Sequence, residues 1–476
     1  MKVARRTAAV LICLTLSLGI EARALRLGAP WDRHAGRVLA AYALAGVVFV
    51  VAVLALRKIP ARRASVLILT GAAAFQALAV CFVPTTTDDY YRYVWDGTVQ
   101  AHGIDPYRYT PLDPALRDLR DPWLFPTGPV AQQVVGASPA RGYVDACTYL
   151  GVPHDCTLIN RPTVHTIYPP VAEAAFLGLH LVSPQHERRQ AAQVFSALLA
   201  WATALVLIRT LRRSGRPVWP AAWWAWCPMV WLECGNNAHI DVLGILLLVG
   251  TFGVLSGRRA EGAGRLAVAG ALFGAAVAVK LIPVLVAPAL ATRRRAVLLA
   301  TAAAVFLAGY LPHVVAVGTD VIGYLPGYLH EEGYSGEQRF GALRLLVPGR
   351  VAAPVGAVVL AAVAVAVLRR ADRNPPALGA VALVGITFVI VGPSQPWYAL
   401  LLVGLAVLAE RPEWLAVAAA AYPVYFSGAL RVSNTAMQQC AYLLAAAVVV
   451  LVQLTRRQKP SYGIGERPRT VMRCGR

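Results

Sequence analysis

The chain has 476 residues, 58% of them hydrophobic and only 14% charged. A soluble domain of that length cannot hide so much apolar surface, so a water-soluble fold is excluded. The formal net charge of +21 would point a soluble protein towards nucleic acid. In an apolar chain it marks basic loops on the cytoplasmic side of a bilayer, and no nucleic-acid partner is expected.

Long apolar runs recur at 37–56, 65–83, 190–208, 238–256, 296–314, 350–368, 376–392 and 438–454, most of them near the ~20 residues that a span needs. Shorter runs lie at 7–20, 217–232, 395–409 and 412–428. The pattern predicts an all-α integral membrane protein, a multi-pass helical bundle of roughly a dozen or more transmembrane helices. It forms one polytopic domain over 1–455, followed by a basic, disordered cytoplasmic tail at 456–476. The first run has the apolar core of a signal peptide but no small-x-small cleavage site after it, and it reads as a span.

Charge sets the predicted orientation. Lys2, Arg5 and Arg6 precede the first run and "RKIPARR" separates the second from the third, so the amino terminus and that loop are inside and the third helix exits. The loop 84–166 is then extracytoplasmic; its nine Asp against six Arg contrast with the basic whole. The segment "VAEAAFLGLHLV" (171–182) is short for a span. If it dips and returns, the seven arginines of "RTLRRSGR" and "SGRRAEGAGR" fall inside and only Arg188 and Arg189 are misplaced. In that reading 264–279 exits, 281–291 returns, and 315–349 is a second outer loop. The expected location is the plasma (inner) membrane, with the active site on the extracytoplasmic side.

Cys147 and Cys156 sit in the outer loop, in "DACTYLGVPHDC". An oxidising compartment permits a disulfide there, contributing ~2–3 kcal/mol. No zinc-like cysteine spacing occurs and no metal site or cofactor is indicated, although a divalent metal is compatible with the chemistry.

The first outer loop opens with "TTTDDYYRYVWDGTVQAHGIDPY". One reading is a well-capped interfacial helix, with Thr as N-cap, acids in the first turn and an Asp88–Arg92–Asp96 ladder at i,i+4. The other is a sugar site. Asp88, Arg92, Trp95 and Asp96 share one helical face, as do Asp89, Tyr93, Asp96 and Gln100. Carboxylates reach sugar hydroxyls and aromatic faces cover apolar C–H surfaces. An Asp there can take the proton of an attacking acceptor hydroxyl, and Arg92 can clamp a phosphate or hold an Asp ionised.

This stretch resembles the first outer-loop motif of bacterial multi-pass glycosyltransferases of the GT-C fold, with the nearest resemblance to polyprenol-phosphate-mannose-dependent α-mannosyltransferases, including the α-(1→6) enzymes of actinobacterial lipoglycan synthesis. Further segments match in order: "TIYPPVAEAAF" (166–176), "CGNNAHIDVLGILLL" (234–248), "VAVKLIPVLVAP" (277–288) and "SQPWYALLLVGLA" (394–406). The resemblance implies an inverting transfer of mannose from a polyprenyl-phosphate donor to an extracytoplasmic glycan or glycolipid, with Asp88 or Asp89 as general base. Thr98 after "WDG" and the "ECGNNAHID" wording depart from the family's usual forms, which bears on the acceptor.

The other segments add candidate binding residues. Tyr168 stands before a Pro-initiated helix. His239 and Asp241 precede an apolar helix, and a carboxylate entering lipid should face a polar cavity. Lys280 interrupts an apolar run beside the helix-breaking Pro283 and suits a donor phosphate. Gln395, Trp397 and Tyr398 are placed to flank the sugar or the polyprenyl chain. No nucleotide-binding signature occurs, in keeping with a lipid donor. The alternatives are another lipid-linked sugar or, in a different class, a lipid-linked sugar flippase or transporter. The latter would bind near the midplane between repeats; no clear repeat is visible, and the charged cluster is in a loop.

Overall fold

Lipid offers no hydrogen bonds to a bare backbone, so apolar runs close into helices. The computed structural model describes residues 2–28, 34–126, 157–183, 188–257, 262–334 and 339–458. Cys147, Cys156 and residues 459–476 lie outside them. The helices are α1 (Lys2–Arg26), α2 (Ala35–Leu56), α3 (Ala61–Val80), α4 (Asp89–Ala101), α5 (Pro170–Val182), α6 (Arg188–Arg213), α7 (Asp241–Val254), α8 (Ala263–Val277), α9 (Ala296–Val317), α10 (Leu325–Glu331), α11 (Gly349–Arg370), α12 (Pro376–Val391), α13 (Leu400–Ala409) and α14 (Asn434–Gln458). No strand occurs among the described residues. Seven helices are long and apolar enough to cross a membrane (α1, α2, α3, α6, α9, α11 and α14), and five shorter apolar ones accompany them.

The expected runs at 217–232 and 412–428 are not single helices. Short turns at Trp219–Ala221, Ala222–Ala225 and Pro228–Val230 lead into a π-helical turn, Trp231–Asn236. The second run breaks at Pro412–Trp414, Leu415–Ala419 and Ala421–Tyr425. Prolines at 220, 228, 412 and 423 remove the donors that a continuous helix requires. The resulting irregular backbone is packed inside the bundle: Trp224 Nε1 donates to the Ala200 carbonyl at 2.9 Å and Trp226 Nε1 to Ile68 at 3.3 Å.

Hydrogen bonds sort the loops onto two ends of the bundle. At one end Arg212 donates to Ser65 Oγ at 2.7 Å, Arg57 lies over Trp219 at 5.0 Å, and Arg216 reaches the Leu408 carbonyl at 2.7 Å. Arg456 pairs there with Glu413 at 3.1 Å. At the other end Gln193 Nε2 donates to the carbonyls of Phe82 at 2.9 Å and Asn236 at 2.7 Å. His313 meets Asp105 at 2.7 Å and Arg108 donates to Ala316 at 2.9 Å.

The loops after α2, after α6 and after α13 therefore share one end with the last turn of α14. At the opposite end lie the starts of α5, where Val171 N donates to the Ala278 carbonyl at 2.9 Å, and of α6, where Gln193 meets Phe82. The helix α5, at 13 residues, spans about 20 Å, short of the ~30 Å hydrocarbon core. It lies instead against α4. Gly97 makes that contact feasible, since a Cβ there would stand 2.4 Å from the Phe176 carbonyl oxygen.

Candidate active site

The acid pair is built on a rigid turn. Asn236 Nδ2 donates to the carbonyls of Ala79, Phe82 and Val83 at 3.2, 3.2 and 3.0 Å, capping the end of α3. Its Oδ1 accepts from Thr85 N at 3.1 Å and Thr85 Oγ1 at 2.9 Å. Asn237 Nδ2 donates to Thr86 Oγ1 at 2.5 Å and its Oδ1 accepts from Thr86 N at 3.3 Å. Both asparagines are fully buried. The expected threonine N-cap is not formed: Asp88 holds the cap position of α4 without a side-chain cap bond, Thr87 Oγ1 only accepts from Asp89 N at 3.2 Å, and Thr85 and Thr86 bolt the acids to the π-helical turn. Such turns widen the helix and are frequent at functional sites.

Asp88 and Asp89 are partly exposed and share one donor. Asn160 Nδ2 reaches Asp88 Oδ1 at 2.6 Å and Asp89 Oδ1 at 2.9 Å. Burial, and then the charge of Asp89, push the Asp88 carboxyl up to about 6, with the Asn160 hydrogen bond pulling the other way. A like-charged neighbour makes one of two such acids hold its proton.

Around the pair stand most of the residues expected from the sequence. The fully buried His239 ring has Nδ1 3.7 Å from Asp89 Oδ2 and Nε2 3.3 Å from Glu233 Oε2. It stacks on Trp397 at 4.3 Å and 22°. Lys280 Nζ lies 2.9 Å from Asp241 Oδ2 and 4.7 Å from the centre of the Tyr398 ring, with the Tyr168 ring at 6.0 Å. Tyr398 hydrogen-bonds to Tyr328 of α10.

Other expected residues take scaffold positions. Arg92 Nε grips both oxygens of Asp96 at 2.9 and 3.0 Å, its Nη1 donates to the Val164 carbonyl at 3.1 Å, and both residues are buried. The expected Asp88–Arg92–Asp96 ladder is thus only half formed, because Asn160 takes Asp88. Trp95 is buried with Val99, Leu116, Leu124 and Phe125, on the far side of α4 from Tyr93, which stacks on Phe176 at 4.5 Å. Gln395 Nε2 donates to Glu332 at 2.6 Å and its Oε1 accepts from Arg339 at 3.1 Å. It therefore joins Glu332 to Arg339.

Several residues at the site carried no weight in the sequence: Asn160, Glu233 and Arg161. Arg161, in the left-handed region at φ 49°, donates from Nε to Glu331 at 2.9 Å and brings α10 over the acids. The Glu331 carboxyl is lowered by that guanidinium. Among the described residues no group of three or more His, Cys, Asp or Glu is arranged to hold a metal ion. A cavity of about 330 Å³ between α11 and α12 is lined by Arg370, Asn374 and Pro376 and by none of the site residues.

Residues 166–393 match the family model of glycosyltransferase family 87, GT87. The matched region is just under half of the chain and holds Tyr168, His239, Asp241 and Lys280, with the acid pair upstream. No curated protein and no solved structure matches the chain significantly. The all-helical, membrane-spanning architecture and the family match together support a membrane glycosyltransferase of the GT-C type.

Proposed function

We propose that the protein transfers mannose, with inversion, from a polyprenyl-phosphate donor to a hydroxyl of an extracytoplasmic glycan or glycolipid. The acceptor oxygen attacks the anomeric carbon, the bond from that carbon to the phosphate oxygen breaks, and polyprenyl phosphate leaves with the electron pair. Asp88 takes the acceptor's proton, with Asp89 beside it. A base whose proton affinity lies close to the working pH is efficient in this role.

The leaving phosphate needs a positive partner. Lys280 supplies it. An ammonium has three donors; Asp241 occupies one at 2.9 Å, which aims the side chain and leaves the others for phosphate. Tyr398, Tyr168 and Trp397 form the aromatic wall for the sugar or the first isoprene units. The single observation that carries this reading is the Asp88–Asp89 pair clasped by Asn160, with one carboxyl pushed up to about 6.

Purified protein in detergent, given labelled polyprenyl-phosphate-mannose and acceptor lipids, is expected to form a glycosidic product without any vesicle. Bound donor with no product in that system would instead indicate a flippase.

A further inference from the structure

The helices α11 and α12 form a hairpin that turns at the arginine end of the bundle. Their other ends lie with the start of α14: Phe340 N donates to the Val391 carbonyl at 3.1 Å, Gln439 Nε2 to the Gly341 carbonyl at 3.2 Å, and Tyr442 Oη to the Pro393 carbonyl at 2.6 Å. Arg456, in the last turn of α14, pairs with Glu413 at the opposite end, and the turn at 371–375 shares that end.

The cavity of about 330 Å³ between the two helices is a groove open to the outside of the bundle. Ala366, Val367, Ala382 and Ile386 give it apolar walls, and Arg370 and Asn374 stand at its mouth. Ile386 lies ten residues beyond Pro376, which along a helix is about 15 Å. The hydrocarbon core is ~30 Å thick, so the groove is one leaflet deep and Arg370 stands at headgroup level. An apolar groove of this kind does not hold water. Helix α11 shows most of its apolar surface to lipid, Val358 and Leu368 included, so a hydrocarbon chain fills the groove.

The mouth selects the headgroup. Arg369, Arg370 and Arg373 are exposed beside a single acid, Asp372, and none of the three is ion-paired among the described residues. Guanidinium groups grip phosphate through paired hydrogen bonds, and basic clusters at a membrane surface attract anionic lipids. We propose that this groove binds an anionic glycerophospholipid of the leaflet at the arginine end, with one acyl chain along Ala366 and Ile386 and the phosphate against Arg370 and Asn374. The site lies at the other end of the bundle from the acid pair and Lys280, and it does not depend on the reaction proposed above.

The test is native mass spectrometry of the full chain in detergent, titrated with phosphatidylglycerol or with phosphatidylcholine of the same acyl chains. Both lipids carry the phosphate, but only the first has a net charge. Wild type should bind phosphatidylglycerol at least ~5-fold more tightly, the effect of about one arginine near a membrane surface. The double variant Arg370→Gln, Arg373→Gln should lose that preference. Ala366→Phe, which fills the groove, should lower the retention of both lipids; should it not fold, the arginine variant still decides. Melting temperature gives a second reading. Phosphatidylglycerol should raise that of the wild type, as a ligand of the folded state does, and should raise that of the arginine variant less.

Equal affinities for the two lipids in the wild type would overturn the proposal, as would an unchanged preference in the arginine variant or unchanged retention in a folded Ala366→Phe. Displacement of phosphatidylglycerol by an equal concentration of polyprenyl phosphate would assign the groove to the polyprenyl chain and overturn it as well.

Discussion

Lys280 Nζ sits 2.9 Å from Asp241 Oδ2, joining the end of α8 to the first residue of α7. The pair is close to fully buried, with 19% and 8% of the side chains exposed. Neither helix is long, and their charged ends meet at the site face, where a chain of this hydropathy carries a charge only at high cost. Lys280→Met is expected to raise the donor KM at least ~10-fold, because one charge-assisted hydrogen bond to phosphate is worth ~1.5–3 kcal/mol. Asp241→Asn should raise it less, since the ammonium survives. Equal donor KM values for Lys280→Met and wild type, measured at saturating acceptor, would contradict the phosphate role.

Asp88 dictates a pH dependence. With its carboxyl pushed up to about 6, kcat/KM should fall about tenfold per pH unit below that point as a single base is protonated. Replacing Asn160 by Leu removes the hydrogen bond that opposes the shift, so the limb should move to higher pH. A limb that stays in place in Asn160→Leu would show that the shared amide does not tune the acid.

Stability should respond in the opposite sense to activity. The folded-state value of Asp88 is raised from 3.8. The stabilisation linked to its proton is therefore complete below about 3.8 and is lost as the pH rises through about 6. At neutral pH the ionised Asp88 opposes folding, and Asp88→Asn should melt at a higher temperature than wild type. The gap should close on acidification. Thermal melts of the two proteins across that pH range check the sign.

Two ion pairs beside the site differ in worth. Arg339 and Glu332 are 4% and 11% exposed at their side chains, while Arg161 and Glu331 are 37% and 42% exposed. Removing one partner of a buried pair typically costs ~3–5 kcal/mol, and Arg339 also serves Gly392, Ser394 and Gln395. Screening leaves an exposed pair worth ~0–1 kcal/mol. Arg339→Met should therefore lower the melting temperature clearly, and Glu331→Gln hardly at all; comparable losses would contradict this ranking.

Much of the scaffold was legible because a run of apolar residues in lipid closes into a helix. The dip expected at 171–182 came from seven arginines against two; α5, at 13 residues, packs along α4. The broken runs at 217–232 and 412–428 were less legible, because hydropathy counts apolar residues and is blind to prolines that bend them inside the bundle. At the site, Asp88, Asp89 and Lys280 stood out as charges beside or within apolar runs. Asn160 did not, because a polar residue in a polar loop 71 positions from Asp89 carries no local signal. Glu233 has one, since it interrupts "MVWLECGNN". Arg92 and Asp96 showed the right spacing, but a helical face does not announce whether it meets substrate or the next helix. Here it meets Val164 and α5.

The predicted Cys147–Cys156 bridge lies outside the described residues and is tested separately. Peptide mapping without reductant should recover the two cysteine peptides linked; free thiols at both would refute the bridge.

The most direct measurement is the rate of sugar transfer from labelled polyprenyl-phosphate-mannose by purified wild type, Asp88→Asn and Asp89→Asn under saturating donor. Loss of the base should lower kcat in Asp88→Asn by ~10²–10⁴-fold, with a smaller loss in Asp89→Asn. Wild-type turnover in both variants would contradict the account.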